Sequence, residues 1–502
     1  MKRVAVIDLG SNTSKLILME YEPGKSYRQV DELRQVIRLA EGMANANVLR
    51  ADAMQRGLEA LATFKAYCDA AGVEDIRATA TSAVREADNG GTFIELIKER
   101  VGFVPQIISG ENEAKFEAIA VANSMPFADA YVFDIGGGSA ELSLLKDRKL
   151  ERGLSLQLGA VIMTEKFFKN DPPKKKEVKA LKKHIREALE SADVEEDFAE
   201  DMALVGMGGT IRNLAKIHKK RTDYPLDLLN TYKLPKDDLE DIVEDLIDQS
   251  IEDKRDVSGL KIDRADIITA GGVVALELLE YSGADHYTIA SQGLREGVFY
   301  EALLNKKKPL IDDVREFSIR NLEHHYYSYS AHNEHVKKLA VELFDCLAEL
   351  HGYSDLEREL LGYAALVHDI GMSINYNDHH QHGFYLMLSA ELPGFTHREQ
   401  AILALLVRYH RKGSPDDQGL SKVLEDGDEE RVAKLASLLR LAEYLERSKA
   451  QLVTSLTCHV SDGYVQINVN AKTDVSVELR EARLSKDLFE DAFGVESEIV
   501  NL

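Results

Sequence analysis

Two short stretches of the chain carry an acid, glycines and hydroxyls in the same order. The first is Asp8-Leu9-Gly10-Ser11-Asn12-Thr13; the second is Asp134-Ile135-Gly136-Gly137-Gly138-Ser139-Ala140-Glu141. Glycine lets the backbone turn sharply and approach a ligand closely, so that successive N–H groups can converge on an anion. The hydroxyls and the Asn12 amide add donors, and an acid at the end of each preceding strand can face a cation held between the loops. Either stretch alone is equally well a tight hairpin whose glycines serve only the turn. The pairing, with Asp at the same place in each, favours a phosphate cradle. Gly206-Met207-Gly208-Gly209-Thr210 and Gly271-Gly272 are weaker signals of the same kind and are expected to wall the same cleft. Glu111 and Glu113 open a helix after Ser109-Gly110, where acids also favour the helix macrodipole without doing chemistry.

The elements that must hold these residues follow from local pattern. Val4–Asp8, a Gly-Ser-Asn turn and Leu16–Met19 read as strand, turn, strand, and Tyr131–Asp134 with Glu141–Leu145 repeats the unit, which suggests a duplicated fold. Residues 52–71 and 111–123 carry helical patterns, and Ile76–Ala80 reads as a strand. Ala203–Met207 and Ile267–Ala270 read as further strands, each ending in a glycine turn. Residues 174–200 form a charged helical stretch, and 305–309 a linker. Long amphipathic helices fill about 312–450. Beyond Gln451, the alternation in Val465–Val469 and Val475–Leu479 predicts two strands of a small β-containing module.

Composition narrows the function class. The 502 residues are 44% hydrophobic and 29% charged, enough for several cores, and no apolar run is long enough to cross a membrane. The basic start Met1-Lys2-Arg3 lacks the apolar segment of a leader peptide. A net charge of −24 argues against binding duplex nucleic acid and demands local cations for any anionic substrate. The basic runs Lys174–Lys176, His218–Arg221 and Lys306–Lys308 read as solvated helix ends and linkers. Three widely spaced cysteines, Cys68, Cys346 and Cys458, read as reduced thiols of a cytoplasmic protein.

The two glycine stretches resemble the phosphate motifs of the exopolyphosphatase/guanosine pentaphosphate phosphatase (Ppx/GppA) family, within the actin, sugar kinase and Hsp70 superfamily. Ala80–Gly90, Ile108–Ala114, Gly206–Thr210 and Gln292–Val298 resemble it in the same order. The resemblance implies an α/β chain of two actin-like (ribonuclease H-like) half-domains, residues 1–125 and 126–305. An all-α HD-like domain, 306–450, and a small α+β module, 451–502, would follow. It implies that Glu113 is the catalytic base, in the position before Ala114, although Asn112 stands where the family has another glutamate; Glu111 is the fallback. It implies a divalent ion, most simply magnesium, on Asp134 and Glu141, with Asp8 as a further partner. Gly10, Ser11, Asn12, Thr13, Gly136, Gly137, Gly138, Ser139, Gly208, Gly209 and Thr210 would bind phosphates, with Arg85 and Arg295 beside them.

The substrate implied is inorganic polyphosphate, with guanosine pentaphosphate as the alternative substrate and a binding-only regulator of either as a different class; a homodimer is also implied. His332, His368-Asp369 and Glu443 resemble the order of an HD-type metal phosphohydrolase, with His379, His380, His382 and His410 between them, although the HD pattern ends in Asp where Glu443 stands. That region is expected either to shape a substrate channel or to hold a second metal.

Overall fold

A computed structural model describes residues 1–44, 46–194, 202–305, 309–326 and 330–502. These form two compact units: Met1–Tyr224 with Leu229–Val314, and Pro225–Leu228 with Arg315–Leu502. Lys306–Lys308, and residues 195–200 of the expected charged helix, lie outside the described residues.

The first unit is built on two sheets. In one, β1 (Lys2–Leu9), β2 (Thr13–Glu22), β3 (Ser26–Val36), β4 (Asp75–Ala80) and β5 (Gln106–Ile107) lie in the order β3-β2-β1-β4-β5. The central strand β1 reads Val-Ala-Val-Ile with all four residues fully buried, as expected of a strand covered on both faces. It pairs antiparallel to β2 and parallel to β4. The second sheet holds β6 (Ala130–Ile135), β7 (Ala140–Lys146), β8 (Lys149–Leu156), β9 (Ala203–Met207), β10 (Lys233–Pro235) and β11 (His286–Ile289). Its order, β10-β11-β9-β6-β7-β8, is that of the first sheet with β10 added at one edge. Again the first strand pairs antiparallel with the second and parallel with the fourth in sequence. The duplication expected from the two Asp–glycine stretches is therefore a duplication of whole sheets, and both stretches are the β1–β2 and β6–β7 hairpin turns.

Helices cover the sheets through apolar stripes. Helix Ala51–Ala70 buries Ala53, Leu58, Leu61, Phe64 and Cys68 in the core of the first lobe. Helix Ile268–Ser282 is buried along most of its length against the second. The latter corrects the expected strand and glycine turn at Ile267–Gly272. These residues are helical because Gly271 and Gly272 admit close neighbours: a Cβ on Gly271 would lie 2.6 Å from Thr210 Cγ2, and one on Gly272 would lie 3.1 Å from Val243 Cγ2. They pack a helix and do not wall the cleft. His218 and Lys219 are also buried, not solvated. The His218 ring bonds the Tyr232 hydroxyl at 2.8 Å, and the Lys219 ammonium lies over the Tyr224 and Tyr232 rings.

The second unit is mainly helical. Its long helices include Ser330–Cys346, Asp355–Val367, His379–Ser389, His397–Tyr409 and Asp428–Leu445. A three-stranded sheet closes it: β12 (Val453–Ser461), β13 (Tyr464–Ala471) and β14 (Glu496–Asn501), with β13 central. The predicted strand at Val475–Leu479 is instead the start of helix Ser476–Leu484, where Asp474 accepts the Ser476 N–H at 3.1 Å. Cys346 and Cys458, 112 residues apart in sequence, are joined as a disulfide with their Cα atoms 5.5 Å apart, so the expectation of three free thiols fails for this pair; Cys68 is free and buried. No helix among the described residues is long and apolar enough to cross a membrane.

Candidate active site

The two hairpin turns meet. A Cβ on Gly137 would lie 3.2 Å from both the Asn12 nitrogen and Ser11 Cβ, and one on Gly138 would lie 2.6 Å from Ser82 Oγ and 2.7 Å from Ser11 Oγ. Glycine is required at this junction because any side chain would force the loops apart. Gly208 takes φ +82°, and a Cβ there would stand 2.0 Å from Asp134 Oδ1. The cleft so formed is lined by both turns, by Gly208 and Gly209, and by Gly293 and Leu294. Helices Gly208–Arg221 and Leu294–Leu304 begin at Gly208 and Leu294, so their positive ends add to the anion-attracting field.

Acids gather on one wall. Asp134 lies directly opposite Glu141 in the register of β6 and β7, as Asp8 lies opposite Lys15 in β1 and β2. Helix Gly110–Ala122 starts with Ser109, which accepts the Asn112 N–H, and points Glu113 and Glu117, one turn apart, into the same space. Oxygen atoms of Glu113, Glu117 and Glu141 lie within 4.8 Å of one another. Burial pushes Glu141 up to about 7 and Asp8 up to about 6. Glu113 and Glu117 are driven well above the usual carboxylate range by burial, reinforced by Glu141 for Glu113 and by Asp134 for Glu117. Glu113 is held by the Arg85 guanidinium at 2.8 Å, and Glu141 by the hydroxyls of Ser139 at 2.6 Å and Ser155 at 2.8 Å.

Cations enter the same cleft. Lys15, Arg212, Arg264 and Arg295 line the cleft. Burial together with Arg295, Arg212 and Arg264 lowers the Lys15 ammonium to about 7 despite Asp8 opposite. Arg295 is anchored by Glu32 at 2.8 Å. This cluster supplies locally the positive charge that a chain of net charge −24 lacks overall. Four buried polar atoms of the cleft, Asp8 Oδ1, Asn12 Nδ2, Thr13 Oγ1 and Glu117 Oε2, have no hydrogen-bond partner. Buried polar atoms are rarely left so, and here they mark the places where a ligand would bind.

The structure thus brings together Asp8, Gly10–Thr13, Glu113, Asp134, Gly136–Ser139, Glu141, Gly208, Gly209 and Arg295. Three expected residues stand apart from the cleft surface. Arg85 bonds Glu113, Thr210 is buried against Gly271, and Glu111 is exposed. Glu117, Lys15, Arg212 and Arg264 were not expected. The helical spacing from Glu113 signals Glu117, and the strand pairing with Asp8 signals Lys15; Arg212 and Arg264 have no local signal.

In the second unit, His332, His368, Asp369 and Glu443 also converge. Glu443 Oε2 lies 3.0 Å from His332 Nε2 and 3.1 Å from His368 Nε2, and Asp369 lies 3.9 Å from the first and 3.7 Å from the second. His379 and His410 join the group; His380, which is buried, and His382 belong to neither candidate metal cluster around Asp369.

Comparison with known proteins gives the same partition. The sequence model of the Ppx/GppA phosphatase family matches residues 18–306, and that of Ppx/GppA phosphatase, domain III, matches residues 314–490. A Ppx/GppA family member from Aquifex aeolicus is similar at 30% identity and TM-score 0.52, over 61% of this chain and 99% of that one. Another structure, an Aquifex aeolicus PPX-GPPA enzyme, is 31% identical with TM-score 0.51, over 59% and 98%. An exopolyphosphatase from Cytophaga hutchinsonii shares the fold at 24% identity and TM-score 0.58, over 61% and 99%. With paired sheets of one topology, glycine turns meeting at a cleft and a family match over most of its length, the chain belongs to the Ppx/GppA phosphatases and has their actin-like α/β fold.

Proposed function

We propose that this phosphatase is an exopolyphosphatase that removes the terminal phosphate of inorganic polyphosphate, with Glu113 as the general base. The observation that carries this reading is the position of Glu113. Its carboxylate is buried in the cleft that both glycine turns line, tethered through one oxygen to Arg85, with Lys15 and three arginines lining the same cleft. A phosphoanhydride chain is a row of anions, and the cations and acids of the cleft divide the work on it. The backbone N–H groups of the turns and the cations Lys15, Arg212, Arg264 and Arg295 hold the terminal phosphates. Glu113 accepts a proton from a water whose oxygen attacks the terminal phosphorus. The bond to the next phosphate breaks, and the shortened chain leaves with that bond's electron pair.

The residues also fit a divalent cation. The donor set is all oxygen, as a hard ion such as magnesium requires, two of its atoms lack any partner, and burial disfavours its charge without one. Glu117, Asp134 and Glu141 would hold it, with Asp8 nearby. When bound, the ion supplies positive charge that offsets the carboxylates and the charge on the transferred phosphoryl group. Arg85 keeps the Glu113 carboxylate turned toward the phosphate cradle. Phosphate release from long polyphosphate, short polyphosphate and guanosine pentaphosphate, compared side by side, tests the substrate. Polyphosphate should be hydrolysed with the higher kcat/KM; a preference for guanosine pentaphosphate of about tenfold or more, roughly 1.4 kcal/mol, would overturn the assignment.

A further inference from the structure

We infer that the helical unit holds a pair of divalent transition-metal ions bridged by Asp369, a site separate from the carboxylate cleft. The first ion would rest on His332, His368 and Glu443, the second on His379 and His410. The six side chains come from five places in the sequence of the helical unit, His368 and Asp369 being adjacent, and all are buried. The ligand atoms form two sets, His332-His368-Asp369 and Asp369-His379-His410, each within 4.8 Å, and Asp369 belongs to both.

The histidine tautomers carry the argument. Nδ1 of His368, His379 and His410 each bonds the backbone carbonyl three residues earlier, on Ala365 at 2.7 Å, Tyr376 at 2.9 Å and Val407 at 2.7 Å. A carbonyl only accepts, so Nδ1 carries a proton in each ring, and Nε2 is the nitrogen left to face Asp369 and to ligate a metal. This second bond is how proteins fix a metal-binding imidazole. His379 also meets Arg411 Nη1 at 3.4 Å, a longer contact than the one to Tyr376.

Two of these nitrogens face each other, because His379 Nε2 lies 3.1 Å from His410 Nε2, and His379 Nε2 lies 3.3 Å from Asp369 Oδ1. On the other side, neither ring nitrogen of buried His332 makes a hydrogen bond of good geometry, although Nε2 is 3.0 Å from the Glu443 carboxylate. Ring nitrogens and carboxylate oxygens converging in this way need cations between them. Among the described residues the Lys449 ammonium lies 2.8 Å from Asp369 Oδ2. That side chain is about 30% exposed and can withdraw to solvent. Nitrogen-rich ligands with one or two carboxylates suit manganese, iron, cobalt, nickel or zinc rather than magnesium.

The test uses the full-length chain, loaded with cobalt(II) or manganese(II) alone, freed of excess by gel filtration, and assayed for bound metal per chain. Wild type should retain about two ions, His410→Gln about one, and Asp369→Asn close to none, while Glu113→Gln keeps both. Bound cobalt should give visible bands of imidazole ligation that weaken in His410→Gln. Wild type retaining no ion or only one, or two ions surviving Asp369→Asn, would overturn the inference. Asp134→Asn, altered only in the carboxylate cleft, should retain the same two ions, so its stoichiometry beside that of wild type decides the matter even if a variant of the helical unit fails to fold.

Discussion

Arg85 stands 2.8 Å from Glu113 and bonds it through Nη1, while its other contacts, to Glu86, the Ile108 carbonyl and Ser155, fix the guanidinium in place. Arg85 is not among the residues that line the cleft, and its role in this account is to position the base and to oppose the burial that raises its proton affinity.

Arg85→Ala should therefore lower kcat by about tenfold or more, since an unpaired buried carboxylate tends to protonate, and should leave KM for short polyphosphate changed by less. Arg85→Lys should recover part of the rate. Steady-state kinetics on the three proteins check this; an equal rise in KM with unchanged kcat would make Arg85 a phosphate ligand instead.

Glu117 was not evident from the sequence, yet it lies among Glu113, Asp134 and Glu141 with one oxygen unpartnered. Glu117→Gln, Asp134→Asn and Glu141→Gln should each raise the magnesium concentration needed for half-maximal activity, by about tenfold or more. Magnesium titrations that match wild type in all three variants would put the ion elsewhere.

Gly208 lies in the left-handed region with Asp134 against it, whereas Gly24 has φ +70° with open space around it. Alanine at either position carries roughly 1–2 kcal/mol of backbone strain. Only Gly208→Ala also displaces Asp134, so both variants should lose stability in chemical denaturation, Gly208→Ala more than Gly24→Ala, and only Gly208→Ala should lose most of its activity.

Residues 1–314 contain the whole cleft, and solved relatives of this family match in nearly full length a part of this chain comparable in size. A fragment ending there should hydrolyse short polyphosphate at a rate near that of the full chain. On long polyphosphate it should release the chain more often, because contacts along a polyanion add by avidity, and added salt should narrow the difference. Loss of short-chain activity in a folded fragment would show that the helical unit takes part in the chemistry.

The sequence made visible those parts of the fold whose causes are local. An Asp that closes an apolar strand before a glycine turn is a signal carried within a few residues, and it located both hairpins and the repeat of the sheets, whereas Glu113 was singled out by the family resemblance. Signals that depend on packing were lost. Glu117 looks like any acid of a solvated helix until β7 places Glu141 against it. Arg264 reaches the cleft from a turn of 3-10 helix, Ile262–Arg264, with no pattern of its own. Gly271 and Gly272 looked like a turn because the same residue also serves helix packing. Five alternating residues at Val475–Leu479 were too few to tell a strand from the first turn of a helix. The Cys346–Cys458 pair joins residues 112 apart, which spacing cannot reveal.

The central claim is that Glu113 activates water in the cleft between the two sheets. Glu113→Gln keeps the size of the side chain and an oxygen for the Arg85 bond but removes the base. Its rate of phosphate release from short polyphosphate, at saturating magnesium and with folding and polyphosphate binding verified, is the measurement that bears most directly on that claim. The account predicts a fall of about 100-fold or more with binding retained. A variant that keeps more than about a tenth of the wild-type rate would contradict it.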